Sequence, residues 1–157
     1  MKEGEVAVII RLAERSDIAA IVALFADDAV GGHGDTTDEL AWPEYEAAFE
    51  AIAANPLSQL YVAERGGEVV GTFQTTRVTT MSGRGSSSIL LSAVQTRRDM
   101  RSKGIGRAMV RYAVENARMS GAAFVQLTSN SLRTDAHRFY EREGFAKSHT
   151  GFKMKLR

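Results

Sequence analysis

Ile89-Leu-Leu-Ser-Ala-Val-Gln-Thr96 is an apolar run of strand character. It passes through Arg97-Arg-Asp-Met-Arg101-Ser-Lys-Gly104-Ile-Gly106-Arg107 into a helical pattern that continues to Met119. This is an anion site in outline. The first turn of a helix has backbone N–H groups without intrahelical partners and the positive end of the helix dipole, so it can hold a phosphate or pyrophosphate. Gly104 and Gly106 put no Cβ between ligand oxygens and those amides, and Arg101, Lys103 and Arg107 supply countercharge.

Two familiar phosphate loops can be tested by their spacing, and both fail. A Walker loop needs Gly, four residues and Gly-Lys-Ser or Gly-Lys-Thr, a run the chain lacks. A dinucleotide fingerprint needs a third glycine where Met109 stands, with an acidic residue further on. What remains is Arg101-x-x-Gly104-x-Gly106 between a strand and a helix.

Towards the C-terminus, Ala122–Thr128 is a short apolar run bounded by Gly121 and Ser129-Asn130, which predicts a buried strand. Ser131–Glu143 then predicts a helix ended by Gly144, and Phe145–Leu156 one or two strands turning at Thr150-Gly151. In the helix from Ile105, the spacing of Ile105, Met109, Tyr112 and Ala113 suits packing on a sheet.

Towards the N-terminus, Gln59–Arg65 and Glu68–Val78 read as strands joined by Gly66-Gly67, and Thr79–Ser88 as a turn between antiparallel strands. Val6–Leu12 is a β-branched first strand. Ser16-Asp17 starts a helix in which Ile18, Ile21, Val22, Leu24 and Phe25 recur on one face to about Asp28. A polar loop, Gly31–Asp38, leads to Pro43 and a second helix, Glu44–Ala54, closed by Asn55-Pro56. The order β-α-α-β-β-β-α-β-α-β predicts an α/β fold: a mixed, mostly antiparallel twisted sheet flanked by helices, in one domain spanning residues 1–157.

Composition narrows the function. The apolar fraction is 44% and the charged fraction 25%, as in globular domains, and the net charge of +1 gives no general call for nucleic acid or an anionic membrane. The absence of cysteine excludes disulfides, thiolate catalysis and cysteine-ligated zinc. No two histidines have metal-ligand spacing, so no metal is expected. No stretch has the form of a secretory leader or a membrane span, and a cytoplasmic location is expected.

A second motif joins the first: Asn130-Ser-Leu-Arg-Thr-Asp-Ala136-His-Arg-Phe139-Tyr140-Glu-Arg-Glu-Gly144-Phe145. Together with the Arg101 loop and the element order, it resembles the GCN5-related N-acetyltransferase (GNAT) superfamily, whose members commonly carry an Asn after the fifth strand, an Ala-x-x-Phe-Tyr helix and Gly-Phe beyond it. The resemblance implies acetyl-CoA as cosubstrate and direct acetyl transfer to an amine of a small molecule or an exposed amino group. Val94 and Thr96 would hold the pantetheine amides. Backbone amides of Arg101, Ser102, Lys103, Gly104, Ile105, Gly106 and Arg107 would hold the pyrophosphate. Asn130 would bond the pantetheine arm, and Arg138 would reach the 3′-phosphate. Tyr140 would protonate the leaving sulfur, and the Val94 N–H would stabilise the oxyanion. Homodimers are common in the superfamily.

The chemistry fits a tyrosine there. A phenol of ordinary pKa, about 10, stays protonated at neutral pH and can donate as charge grows on sulfur. His137, three residues before it, reads as a structural hydrogen-bonding group, and His33 as a loop histidine able to contact substrate. Two positions depart from the superfamily pattern. Ser92 stands where many relatives have a glutamate that takes the amine proton, leaving water or one of Asp27, Asp28, Asp35 and Glu39 for that role. Ser102 stands where glycine is common, a change expected to cost little. Two other functions fit the residues: a catalytically impaired acyl-CoA-binding protein, and another nucleotide-binding α/β domain.

Overall fold

The structure is a computed structural model and describes residues 6–28 and 33–157. The predicted loop glycines Gly31 and Gly32 lie outside the described residues. The chain forms two compact units, one ending at Leu127 and one comprising Thr128–Arg157.

The first unit is built on an open five-stranded sheet in the order β1-β2-β3-β4-β5. The strands are β1 (Val8–Leu12), β2 (Ser58–Arg65), β3 (Glu68–Thr79), β4 (Ser87–Thr96) and β5 (Phe124–Gln126). The first four pair antiparallel, and β5 runs parallel to β4. Gly66 and Gly67, at φ 59° and 81°, form the turn between β2 and β3. Both central residues of that turn type need positive φ, which only glycine adopts without strain. Between β3 and β4 the chain makes a single turn, α3 (Ser82–Gly85), in which Gly83 and Arg84 are left-handed, so the expected turn is there.

Three further helices belong to this unit: α1 (Ile18–Ala26), α2 (Trp42–Ala54) and α4 (Ile105–Met119). In α4 the buried residues Ile105, Met109, Val110, Ala113 and Ala117 recur at helical spacing, and the helix packs on the sheet. Gly71 on β3 sets how close it can come. A Cβ there would meet Met109 Sδ at 2.9 Å and the Gln95 carbonyl oxygen at 3.2 Å. Beneath α4, Tyr61 stacks on Phe73 at 4.8 Å, and Tyr112 meets the Tyr61 ring edge-on at 5.4 Å. On the other face Val62 and Thr72 are fully buried, and α1 packs against β3 and β4 while α2 packs against β2.

The entry to α1 differs from a simple helix start. A 3-10 turn, Arg15–Asp17, comes first, and the buried Asp17 carboxylate accepts the Glu14 N–H at 2.7 Å. It also takes two bonds from Arg11, at 2.7 and 3.0 Å, and Arg11 bonds Glu64 on β2 at 2.8 Å. One arginine thus ties β1, β2 and the start of α1 together. Its guanidinium draws the Asp17 carboxyl below its ordinary pKa.

Three expectations need correction. The strand predicted over Ala122–Thr128 is only Phe124–Gln126, and it is not buried: Phe124 is 54% exposed. It meets β4 at Ser88–Leu90 alone, so the ladder is too short to enclose it. In the second unit α5 covers Thr134–Arg142 rather than Ser131–Glu143. Asn130 Oδ1 accepts the Leu132 N–H at 2.9 Å, and this side-chain turn competes with helix over the first residues. No strand forms over Phe145–Leu156. Phe152, Met154 and Leu156 alternate as a strand face would, but they are 84–96% exposed, and a strand without a ladder partner has nothing to stabilise it.

Candidate active site

The centre of the first unit's site is an irregularity in β4. Thr72 pairs with Gln95 and Gln74 with Ser92, so Ala93 and Val94 together oppose Phe73. This is a β-bulge, and Ala93 takes φ 51° to make it. The bulge takes the two amides out of the regular ladder. Among the described residues β4 pairs with β5 only over Ser88–Leu90, so from Leu91 to Thr96 its edge on that side is left without a strand. Val94 and Thr96 both lie on this unpaired length, where an extended ligand with amide groups could bond as an added strand.

Beyond Thr96 the chain turns sharply. The Arg97 N–H reaches the Val70 carbonyl at 2.8 Å, and its guanidinium holds Asp99 at 2.7 Å and Glu68 at 3.3 Å. That guanidinium pulls the Asp99 carboxyl below its ordinary pKa. A 3-10 turn, Arg98–Met100, leads to Arg101, Ser102 and Lys103, all exposed, and Gly104 caps α4 at φ 83°. The Gly104 carbonyl takes the first helical bond, from the Ala108 N–H at 3.0 Å. Ala108 is thus the first donor of the helical ladder, and the first-turn amides before it have no intrahelical acceptor, while the Arg101 N–H bonds the Arg98 carbonyl at 3.4 Å. The loop thus presents a left-handed glycine, helix-start amides and exposed basic side chains at one place, a donor set that fits a pyrophosphate.

Ser102 has φ 62°. That left-handed conformation explains why glycine suits the position, and a serine there costs up to about 1 kcal/mol.

The second unit holds the other predicted groups. Tyr140 lies on α5 with its ring 5.1 Å from Phe139 and 5.7 Å from Phe145. Burial pushes its phenol above the ordinary value, which keeps the proton on oxygen. A Schellman closure ends the helix: the Phe145 N–H bonds the Tyr140 carbonyl at 3.0 Å, and the Gly144 N–H bonds the Glu141 carbonyl at 3.1 Å. Gly144, at φ 100°, makes this possible. The Asn130 carbonyl lies 2.9 Å from His137 Nε2, a structural contact. With Asn130 Oδ1 committed to Leu132, the side-chain amide NH₂ is the donor it can offer a ligand. Arg138 is exposed and pairs with Asp135 at 3.2 Å.

The carboxylates considered as bases are differently placed. Asp27 meets Arg98 at 3.4 Å, and its carbonyl takes a second bond from Arg98 at 3.1 Å, fastening the end of α1 to the turn after β4. Asp35 accepts the Tyr45 hydroxyl at 2.8 Å. Asp28 also has a partner, and Glu39 is exposed in a 3-10 turn. Sequence reasoning missed the Ala93 bulge, because an alanine gives no signal of a left-handed residue. It also missed the Arg98–Asp27 link, which joins residues far apart in the chain. Among the described residues no group of three potential ligands could hold a metal ion, and no helix is long and apolar enough to cross a membrane.

An open mixed sheet whose fourth strand bulges, leaves its parallel neighbour and enters a glycine-capped helix defines a domain of the acyl-CoA N-acyltransferase type. Residues 56–147 match the acetyltransferase (GNAT) domain family. Over 124 residues the chain is 33% identical to the aminoalkylphosphonate N-acetyltransferase of Salmonella typhimurium, covering 76% of this chain and 77% of that one. A crystal structure from Bacillus halodurans, described as a transcriptional regulator, aligns with TM-score 0.91 and 35% identity over 96% of this chain and all of the other. A putative acetyltransferase from Agrobacterium tumefaciens aligns with TM-score 0.80 and 28% identity over 94% and 99%. The chain belongs to the GNAT acetyltransferase family, and is thus an acetyl-CoA-dependent acetyltransferase.

Proposed function

We propose that this enzyme, read as one domain over residues 1–157, transfers acetyl from acetyl-CoA to the primary amine of a small molecule or an exposed amino group by direct attack. The observation that carries the reading is the β4 edge from the bulge to Thr96, which leads through the Arg98–Met100 turn into the Gly104 helix start. Val94 and Thr96 bond the pantetheine arm. Amides of Arg101, Ser102, Lys103, Gly104, Ile105, Gly106 and Arg107 take the pyrophosphate. Asn130 donates to the arm, and Arg138 reaches the 3′-phosphate.

In the reaction the amine lone pair attacks the thioester carbon, and the Val94 N–H stabilises the oxyanion. The C–S bond then breaks with its electron pair going to sulfur, Tyr140 supplies the proton to sulfur, and the nitrogen loses one proton to solvent, from which the phenol regains its own. Its raised phenol pKa supports an acid rather than a base. The Salmonella relative acts on aminoalkylphosphonates, which makes them the first acceptors to try.

Calorimetric titration with acetyl-CoA, followed by CoA-release assays over an amine panel, tests the reading. Binding and turnover are expected, and Tyr140→Phe should lower turnover far more than acetyl-CoA affinity. No binding at millimolar acetyl-CoA would end the reading. An unchanged rate in Tyr140→Phe would remove that residue from the acid role.

A further inference from the structure

The segment that carries β4 into the anion loop and α4, Arg97-Arg-Asp-Met-Arg-Ser-Lys-Gly-Ile-Gly-Arg107, holds five basic residues and one acidic one, Asp99. A carboxylate five residues before Gly104 is out of place beside a pyrophosphate, because it repels the ligand and competes with it for the same cations. Resting on the acetyl-CoA reading above, we propose that Arg97 is a positioning residue for the cofactor: it holds Asp99 in a neutral fork anchored on β3 and so keeps that carboxylate from the pyrophosphate.

The geometry of the fork is specific. Arg97 Nε donates to Asp99 Oδ1 at 2.7 Å and Nη2 to Oδ2 at 3.2 Å, so one planar guanidinium covers both carboxylate oxygens. Nη1 donates to Glu68 Oε2 at 3.3 Å, and the Arg97 N–H bonds the Val70 carbonyl at 2.8 Å, which ties the fork to β3 by side chain and main chain. The Met100 N–H bonds the Arg97 carbonyl at 2.9 Å and closes the 3-10 turn with Asp99 at its middle. The Arg97 side chain is 32% exposed and that of Asp99 65%, so the arginine is the fixed partner and the carboxylate the one that needs holding. Bonding to Arg97 draws the Asp99 carboxyl below its ordinary pKa, and the Lys103 charge acts in the same direction. Asp99 is therefore ionised at neutral pH and already feels a cation of the anion loop.

Arg98 is committed on the other side of the turn. Its Nε meets Asp27 Oδ2 at 3.4 Å, and its Nη2 donates to the Asp27 carbonyl at 3.1 Å. The two arginines that open the turn thus answer carboxylates of the protein, and the exposed Arg101 and Lys103 remain to meet a ligand together with the loop amides. An exposed ion pair between near neighbours adds little to folding stability, so the weight of the fork falls on what approaches the turn. An uncancelled unit charge roughly 10 Å from a doubly charged pyrophosphate weakens its binding about three- to tenfold at low salt.

Calorimetric titration of acetyl-CoA at low ionic strength compares Arg97→Gln, Asp99→Asn and the double variant with the wild type. Arg97→Gln should bind about three- to tenfold more weakly, with the loss shrinking as salt is added. Asp99→Asn should bind at least as tightly as the wild type, and the double variant should return to within about twofold of it. In Arg97→Gln the KM for acetyl-CoA should rise with kcat unchanged, while the KM for acetyl-pantetheine, which has no pyrophosphate, stays as in the wild type. Wild-type affinity in Arg97→Gln, a double variant as weak as the single one, or an equal loss towards acetyl-pantetheine would each overturn this proposal and leave the transferase reading standing. If Arg97→Gln does not fold, Arg97→Lys puts one ammonium in place of the fork, and a loss relieved by Asp99→Asn is expected there too, its absence being the refutation. A wild-type protein that binds no acetyl-CoA would overturn the transferase reading and this proposal with it.

Discussion

Asp17→Asn is the sharpest test of what holds the first unit together. The carboxylate is 8% exposed and receives three hydrogen bonds, two from Arg11 and one from the Glu14 N–H. Breaking a buried ion pair costs about 3–5 kcal/mol. Here Arg11 is a third exposed and keeps Glu64, so its charge is not stranded, and the expected loss falls to about 2–3 kcal/mol. For a chain of this length that is a fall in Tm of about 4–12 °C. The pH dependence has a definite sign. Arg11 lowers the folded-state pKa of Asp17 below its ordinary 3.8, so the stabilisation is fully present above that value and is lost as pH falls through the lower folded value. Urea unfolding at pH 7 and across pH 5 to 2.5 reads both effects, and the variant should lose stability less steeply in acid than the wild type. A difference under about 0.5 kcal/mol at pH 7, or parallel acid profiles, would refute the reasoning.

Gly104→Ala forces a Cβ into φ 83° and should weaken acetyl-CoA binding by tenfold or more while stability falls by about 1–2 kcal/mol, measured by calorimetry and thermal melts. Ser102→Gly relieves φ 62° and should stabilise the protein by a few tenths to about 1 kcal/mol in urea titration, with acetyl-CoA affinity kept. Gly71→Ala drives a Cβ against Met109 and the Gln95 carbonyl, and should cost about 1–3 kcal/mol in the same unfolding assay.

The site was legible in unequal measure. The Gly104 loop and the α4 boundaries, Ile105–Met119, followed from local rules, because glycine freedom and helical spacing act over a few neighbouring residues. The Gly66-Gly67 hairpin and the Gly144 closure followed for the same reason. The Ala93 bulge did not, since its left-handed φ is imposed by pairing β4 with β3 and no residue type announces it. Nor did the brevity of β5: an apolar run fixes a preference for strand, but the ladder's length depends on a partner strand, and β4 offers only Ser88–Leu90. The alternating tail from Phe152 to Leu156 makes the same point, because alternation without a partner gave no strand.

The sequence by itself determined the element order from β1 to α5, the glycine-opened loop before α4 and the family motifs around Tyr140, all of which depend on chemistry within a turn or two of chain. Tertiary structure alone decided that Arg11 would join two strands and a helix, that Asp27 would be fastened to Arg98, and that Ser92 would pair across the sheet with Gln74. Those outcomes depend on which distant residues share a face, and that is fixed only when the strands find their register and the helices settle on the sheet.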